Sequence, residues 1–228
     1  MNSLSVPVGE THRKTGRPRT IEREARILRA VAGDGVVPLL DAAETTLTLA
    51  AGRCSVADVV AARGRLSSEE VRGVVLAAAG ALARLHAGGV VHGDVKPANL
   101  LLHDGGLWLS DFDAAGAPGA IRRRNSPGRP GTATLASDDD IRALVHAAIE
   151  CATGIAVDAS VAWSALDLVT LGCPADLAAR LAIAWRRADD AAALVAALGD
   201  GDARLPAPVA PAGADSTPTI DVNLDDWW

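Results

Sequence analysis

Residues 92–99, His92-Gly93-Asp94-Val95-Lys96-Pro97-Ala98-Asn99, and the later Asp111-Phe112-Asp113 set two acids, an amide and a lysine at fixed spacings. Asp94 follows the apolar pair Val90-Val91, so it can be held rigidly where a loop leaves a buried strand. A carboxylate held that way can orient a hydroxyl and take its proton. Lys96, two residues on, can meet a phosphate. Asn99, five residues on, offers a neutral oxygen suited to Mg²⁺, and Asp111 offers a charged one. Together these groups suit phosphoryl transfer from a metal-bound nucleotide to a hydroxyl. The plain alternative is that His92 and Asp94 cap a strand end and Asp111 opens an ordinary turn. Five matched positions around a strand–turn–strand pattern argue against it.

The elements that must position these groups are legible on either side. Leu100–Leu102 and Leu107–Ser110 read as strands joined by a hairpin turn at His103-Asp104-Gly105-Gly106, which brings Asn99 and Asp111 together. Upstream, Ser67-Ser68-Glu69-Glu70 opens a long helix with Val71, Val74, Val75, Ala78, Leu82 and Leu85 on its buried face, stopped by Gly88-Gly89. Ser55–Arg63 is a short helix capped by Ser55, with Asp58 at its third position. Val36–Asp41 and Thr45–Ala50 read as two strands. Before them a helix begins near Thr20 with Ile21, Ala25, Leu28 and Val31 on one stripe. Residues 1–20 are polar and carry no predicted element. Downstream, Ala114–Ala136 is a Gly-, Pro- and Arg-rich loop, followed by helices over Asp138–Thr153, Asp176–Arg187 and Asp189–Leu198. From Ala203 the Pro/Ala-rich composition predicts a flexible tail, ending in an acidic stretch and Trp227-Trp228.

Composition narrows the function classes. Of 228 residues, 49% are hydrophobic and 22% charged, which is enough apolar content for a packed core. Aromatics are 3%, so that core must be built from Ala, Val and Leu. A net charge of −6 speaks against wholesale nucleic-acid binding. The three cysteines are scattered without CxxC spacing, which fits neither a disulfide framework nor a zinc site and suits a reducing cytoplasm. No apolar run approaches the ~18 residues needed to span a bilayer, and no signal segment precedes the domain. There are two lysines, Lys14 and Lys96, so any role that needs a lysine has two candidates.

In wording and spacing, His92–Asn99 and Asp111-Phe112 resemble the catalytic loop and metal-binding motif of the eukaryotic-type (bacterial Ser/Thr) protein kinase family. The likeness covers roughly residues 14–200. It implies an α+β, two-lobed kinase-like fold with a reduced N-terminal lobe and a mainly α-helical C-terminal lobe. The expected divisions are residues 1–52, 53–202 and a tail over 203–228. The resemblance implies Asp94 as catalytic base, Lys96 as phosphate contact, Asn99 and Asp111 as Mg²⁺ ligands, and His92 as a structural residue of the loop. It implies ATP and Mg²⁺ as cofactors, a protein substrate or regulatory partner, and no nucleic-acid or membrane partner. Asp140 resembles the aspartate of the large lobe's central helix that holds the catalytic-loop backbone; as an N-terminal helix acid it also suits the helix dipole. Glu24 resembles the helix glutamate that pairs with an ATP-anchoring lysine, against the reading of a solvated helix face. Lys14 is the sole candidate for that lysine, although by itself it reads first as one charge of a basic N-terminal run.

Four departures from the family pattern stand out. No G-x-G-x-x-G precedes Lys14. Gly93 stands where many kinases have an arginine, so a phosphorylated activation loop lacks its usual partner there. Asp113 stands where the glycine of Asp-Phe-Gly is expected, at a position that would favour the left-handed backbone region. No Ala-Pro-Glu follows, although Gly131-Thr132 resembles the start of a substrate-positioning loop. Arg122-Arg123-Arg124 reads as a solvated loop face that could attract an acid. Three functions fit: a minimal serine/threonine protein kinase, a pseudokinase acting as a regulatory or binding module, and an aminoglycoside-phosphotransferase-like small-molecule kinase. Lys96-Pro97 speaks for the protein-kinase branch. Ser216, Thr217 and Thr219 are candidate phosphorylation sites, and Asp225–Trp228 a candidate docking peptide.

Overall fold

The computed structural model describes residues 10–121, 134–156 and 161–210. The expectations for Arg122–Arg124, Gly131-Thr132, Ser216, Thr217, Thr219 and Asp225–Trp228 lie outside the described residues.

The architecture is α+β, as expected. At the N-terminal side, strand β1 (Thr11–Thr15), helix α1 (Pro18–Ala30), and strands β2 (Leu39–Ala42) and β3 (Thr46–Ala50) form an antiparallel sheet of order β1-β3-β2 with one helix against it. Pro18 opens α1 at a position where its missing N–H costs nothing and its fixed φ suits the helix. Ile21, Glu24, Ala25 and Leu28 are its buried residues, a 3.6-period stripe in which one member is an acid. β1 was not expected. Its sequence, Thr-His-Arg-Lys-Thr, has no apolar alternation to reveal it, and only pairing with β3 makes it a strand.

The remainder is mainly helical. A second small sheet, of order β4-β5-β6, is built from β4 (Cys54–Ser55), β5 (Leu100–His103) and β6 (Gly106–Leu109). Helices α2 (Val56–Arg63) and α3 (Ser68–Ala87) both begin with complete capping boxes, Ser55 with Asp58 and Ser67 with Glu70. Such reciprocal bonds satisfy helix N–H groups that otherwise have no partner. Arg63 then makes a two-pronged ion pair with Glu70, 2.9 and 2.8 Å, which ties the end of α2 to the start of α3. α3 buries Val71, Val74, Val75, Ala78, Leu82 and Leu85 and packs on α4 (Ser137–Thr153). α5 (Ala165–Thr170), α6 (Ala175–Arg187) and α7 (Ala191–Leu198) complete the body. α5 went unpredicted, although Ser164 and Asp167 form a third capping box.

One core runs from α1 through the β5–β6 hairpin to α7 and is built of Ala, Val, Leu and Ile with Phe112 and the three cysteines. No helix among the described residues is long and apolar enough to cross a membrane. Residues 203–210 have no regular structure, but they are held on the body. The Arg204 N–H donates to the Glu69 carbonyl at 3.1 Å, and Pro206 is buried. The absence of period in this stretch therefore marks an irregular strap over α3 rather than a free chain as far as Ala210.

Candidate active site

The hairpin sets one side of the site. Leu100 pairs with Leu109, and beyond that last pair the Ser110 N–H and hydroxyl both donate to the Asn99 carbonyl, at 2.9 and 3.1 Å. Asn99, at the end of a 3₁₀ turn over Pro97–Asn99, thereby stands beside Asp111, the residue after Ser110. Asn99 turns its amide nitrogen onto Asp94, 2.8 Å from the main-chain oxygen and 3.0 Å from Oδ2. Lys96 Nζ reaches the same Oδ2 at 2.8 Å. The other oxygen, Asp94 Oδ1, is buried and has no hydrogen-bond partner.

His92 braces this loop. It is fully buried, and its Nε2 lies 3.0 Å from the Ser110 carbonyl while the Asp94 N–H approaches Nδ1 at 3.3 Å. These contacts assign the ring proton to Nε2, since a carbonyl can only accept and the amide needs an acceptor. Its ring meets Phe112 edge to face with centroids 4.8 Å apart. From the first turn of α4, Asp140 accepts the His92 N–H at 2.8 Å on Oδ2 and the Gly93 N–H at 2.8 Å on Oδ1. His86, in the last turn of α3, contacts Oδ2 at 2.9 Å. Both readings of Asp140 hold: it sits at a helix N-terminus and it fastens the loop.

Gly93 has φ +81°, and a Cβ there would lie 3.0 Å from the Ala114 carbonyl oxygen. Glycine therefore answers both the backbone region and the close approach of the next segment.

The second half of the site comes from the N-terminal sheet and α1. Lys14 Nζ lies 2.9 Å from Glu24 Oε2, 3.0 Å from Glu24 Oε1 and 2.7 Å from Asp111 Oδ1. Glu24 is wholly buried, not on a solvated face, and Lys14 does not stand in a free basic run. Burial works against the Lys14 charge, but Glu24 and Asp111 together outweigh it and hold the ammonium above the ordinary lysine value. Burial pushes Glu24 up from the usual carboxylate range against the pull of Lys14. Asp111 is also burdened by burial, yet Lys14, through its charge and its hydrogen bond, brings it below its ordinary value of 3.8.

Asp111 is the one non-glycine residue with positive φ among the described residues, at φ 61° and ψ 74°. The strained position is therefore the acid itself. Asp113 lies within a 3₁₀ turn over Phe112–Ala114, so the expectation that position 113 carries the left-handed conformation is corrected. Aspartate tolerates that region better than most residues.

Two contacts were not foreseen. The Phe112 N–H donates to Glu24 Oε1 at 3.2 Å. Arg23 donates through one guanidinium nitrogen to the Asp113 carbonyl at 2.7 Å and through the other to the Ala115 carbonyl. α1 thus grips residues 111–115 with two successive side chains. Arg23 lies beside Glu24 in sequence, but nothing local says that its partners are main-chain oxygens some ninety residues on.

The structure gathers the six candidates, Lys14, Glu24, Asp94, Lys96, Asn99 and Asp111, into two clusters. Lys14, Glu24 and Asp111 form the first; Asp94, Lys96 and Asn99 form the second. The Asn99–Ser110 pairing joins them. A family model described as protein kinase domain matches residues 7–125, just over half of the chain. The chain belongs to the protein kinase family. It is 32% identical over 116 residues to CBL-interacting protein kinase 16 of Oryza sativa subsp. japonica, covering 49% of this chain and 25% of that protein. It is 32% identical over 117 residues to 3-phosphoinositide-dependent protein kinase 1 of Arabidopsis thaliana, covering 51% of this chain and 22% of that one. A stretch of 49 residues is 51% identical to serine/threonine-protein kinase PAK 4 of Mus musculus, 21% of this chain and 8% of that protein. The chain therefore spans a quarter or less of the length of these kinases. Kinase membership implies ATP use, typically with Mg²⁺.

Proposed function

We propose that this chain is a minimal serine/threonine protein kinase that moves the γ-phosphate of ATP to a protein hydroxyl. The carrying observation is Asp94. Its Oδ2 is occupied by Lys96 and Asn99, while Oδ1 is buried and unpartnered. A buried carboxylate oxygen without a donor is costly. An incoming hydroxyl supplies the missing donor, and Oδ1 takes its proton as the oxygen becomes a nucleophile.

The donor set fits the cofactor. Asn99 spends its amide nitrogen on Asp94, which leaves the oxygen as the group to offer a cation, and Asp111 adds a carboxylate kept ionised by Lys14. Asn99 and Asp111 would hold Mg²⁺, Lys14 would anchor the nucleotide phosphates with Glu24 orienting it, and Lys96 would meet the transferred group. Bound ATP with Mg²⁺ supplies the phosphoryl group and screens its charge. Asp140 and His92 keep the loop fixed so that Asp94 need not reorganise.

In this reading residues 1–52 form a reduced small lobe, 53–202 the large lobe and 203–228 a tail. The three cysteines, all buried and free, suit a cytoplasmic protein. A second reading, a pseudokinase that binds a nucleotide or a partner without transfer, draws on one observation: β1 is the outermost strand of its sheet, and no strand among the described residues lies beyond Lys14. The test is incubation with γ-labelled ATP and Mg²⁺ and a generic protein acceptor. Label on the acceptor or on the chain itself supports the kinase. ATP binding without label selects the pseudokinase.

A further inference from the structure

Arg23 touches none of the six candidate residues through its printed bonds, yet it holds the segment that follows one of them. It stands half-buried on α1, one residue before Glu24. Its two terminal nitrogens donate to the main-chain oxygens of Asp113 and Ala115. No main-chain N–H among the described residues donates to either oxygen. By contrast, the Phe112 carbonyl accepts from the Ala115 N–H at 3.1 Å and the Gly116 carbonyl from the Val91 N–H at 2.8 Å.

Residues 111–116 are therefore held from two directions. On the side of the Asp94 loop, Val91 and Gly116 exchange N–H···O bonds of 2.8 and 2.9 Å, and Gly93 lets the Ala114 oxygen come close. On the side of α1, Glu24 receives the Phe112 N–H while Arg23 covers the Asp113 and Ala115 oxygens. The Arg23 acceptors are neutral and belong to the backbone, so the chain carries them with or without a phosphate. A planar guanidinium reaches two oxygens at once, whereas an ammonium is a point donor. In protein kinases the lysine–glutamate pair and the metal-binding aspartate must both be in place, and activation-loop phosphorylation controls this together with the helix position. Gly93 stands where an arginine would commonly receive that phosphate, so the usual route lacks its partner here.

We propose that Arg23 is the positioning residue that sets α1, and with it the Lys14–Glu24 pair, against Asp111, and that it does so with no phosphate on the chain. This rests on the kinase reading and deepens it: the site is assembled by an arginine fork on main-chain oxygens instead of by a phosphorylated loop.

The test uses the full chain after phosphatase treatment, with an intact mass that shows no phosphate, as wild type, Arg23→Lys and Arg23→Met. Two quantities are read. One is the time course of label transfer from γ-labelled ATP with Mg²⁺. The other is amide hydrogen exchange at Phe112, with α3 amides as the control for folding. Wild type should transfer label without a lag and keep the Phe112 amide protected. Both variants should lose on the order of 10²-fold in kcat and exchange Phe112 at least ~10-fold faster, with α3 unchanged. Arg23→Lys keeps the charge and loses the fork, so wild-type rate and protection in that variant overturn the proposal. A lag in wild type, with the rate rising as phosphate is incorporated, overturns it as well, whatever the variants do. A wild type that binds ATP and transfers no label sinks the kinase reading instead. The positioning role is then decided by exchange alone: faster at Phe112 in both variants upholds it, and equal exchange in all three chains overturns it.

Discussion

The ammonium of Lys14 lies 2.7 Å from the carboxylate of Asp111, 97 residues further along the chain. One edge strand and one hairpin end are thus joined by a charged hydrogen bond, and the same ammonium neutralises the buried Glu24. In the kinase reading proposed above, the lysine–glutamate pair and the metal-binding aspartate that activity needs both depend on this single side chain.

Replacing Lys14 by Met should therefore destabilise the fold by about 3 kcal/mol, because a buried carboxylate is left uncompensated. Urea unfolding measures this. The double variant Lys14→Met with Glu24→Gln should recover part of the loss, since no buried charge then lacks a partner. A double variant that loses the sum of both single effects would mean that the two residues do not act as a pair.

The pH dependence follows from Asp111. Its folded value lies below its ordinary 3.8, so the folded state binds its proton less readily than the unfolded chain. The stability it contributes is present above about 3.8 and is lost as pH falls through the folded value. Carbon NMR of the Asp111 carboxyl should show titration below 3.8 in the wild type and a rise in Lys14→Met. An unchanged titration would remove Lys14 as the cause.

Asp140 accepts two buried main-chain N–H groups of the loop and contacts His86. Asp140→Ala leaves both amides without an acceptor, at ~1–3 kcal/mol each. Thermal and urea unfolding should show a loss of about 3 kcal/mol in all. Asp140→Asn keeps one acceptor oxygen and should cost less.

Gly93→Ala forces a side chain into φ +81° with its Cβ 3.0 Å from the Ala114 oxygen. A cost of about 1–3 kcal/mol is expected. Substituting arginine here, toward the common kinase sequence, should carry at least that backbone cost.

Much of this was open to reading because it is local. Ser55 with Asp58 and Ser67 with Glu70 announce their helices within four residues, and both capping boxes form. The spacing from Asp94 to Asn99 and the hairpin to Asp111 are local, and the structure sets Asn99 against Asp94 and beside the residue before Asp111. What escaped was non-local. β1 is a strand because β3 pairs with it, and Thr-His-Arg-Lys-Thr carries no period of its own. The burial of Glu24 and the grip of Arg23 on residues 113 and 115 depend on how α1 meets a turn some ninety residues away. The sequence comparison with Asp-Phe-Gly pointed to position 113 for the unusual backbone, whereas the turn geometry assigns it to Asp111.

The central claim is that the unpartnered Oδ1 of Asp94 acts as the proton acceptor in phosphoryl transfer. The most direct measurement is the rate of label transfer from γ-labelled ATP with Mg²⁺ in wild type and Asp94→Asn, alongside the ATP affinity of each. The account predicts transfer in the wild type, a fall of ~10²–10⁴-fold in Asp94→Asn, and similar ATP binding in both. Transfer at equal rates in the two chains, or none in a wild type that binds ATP, would contradict it.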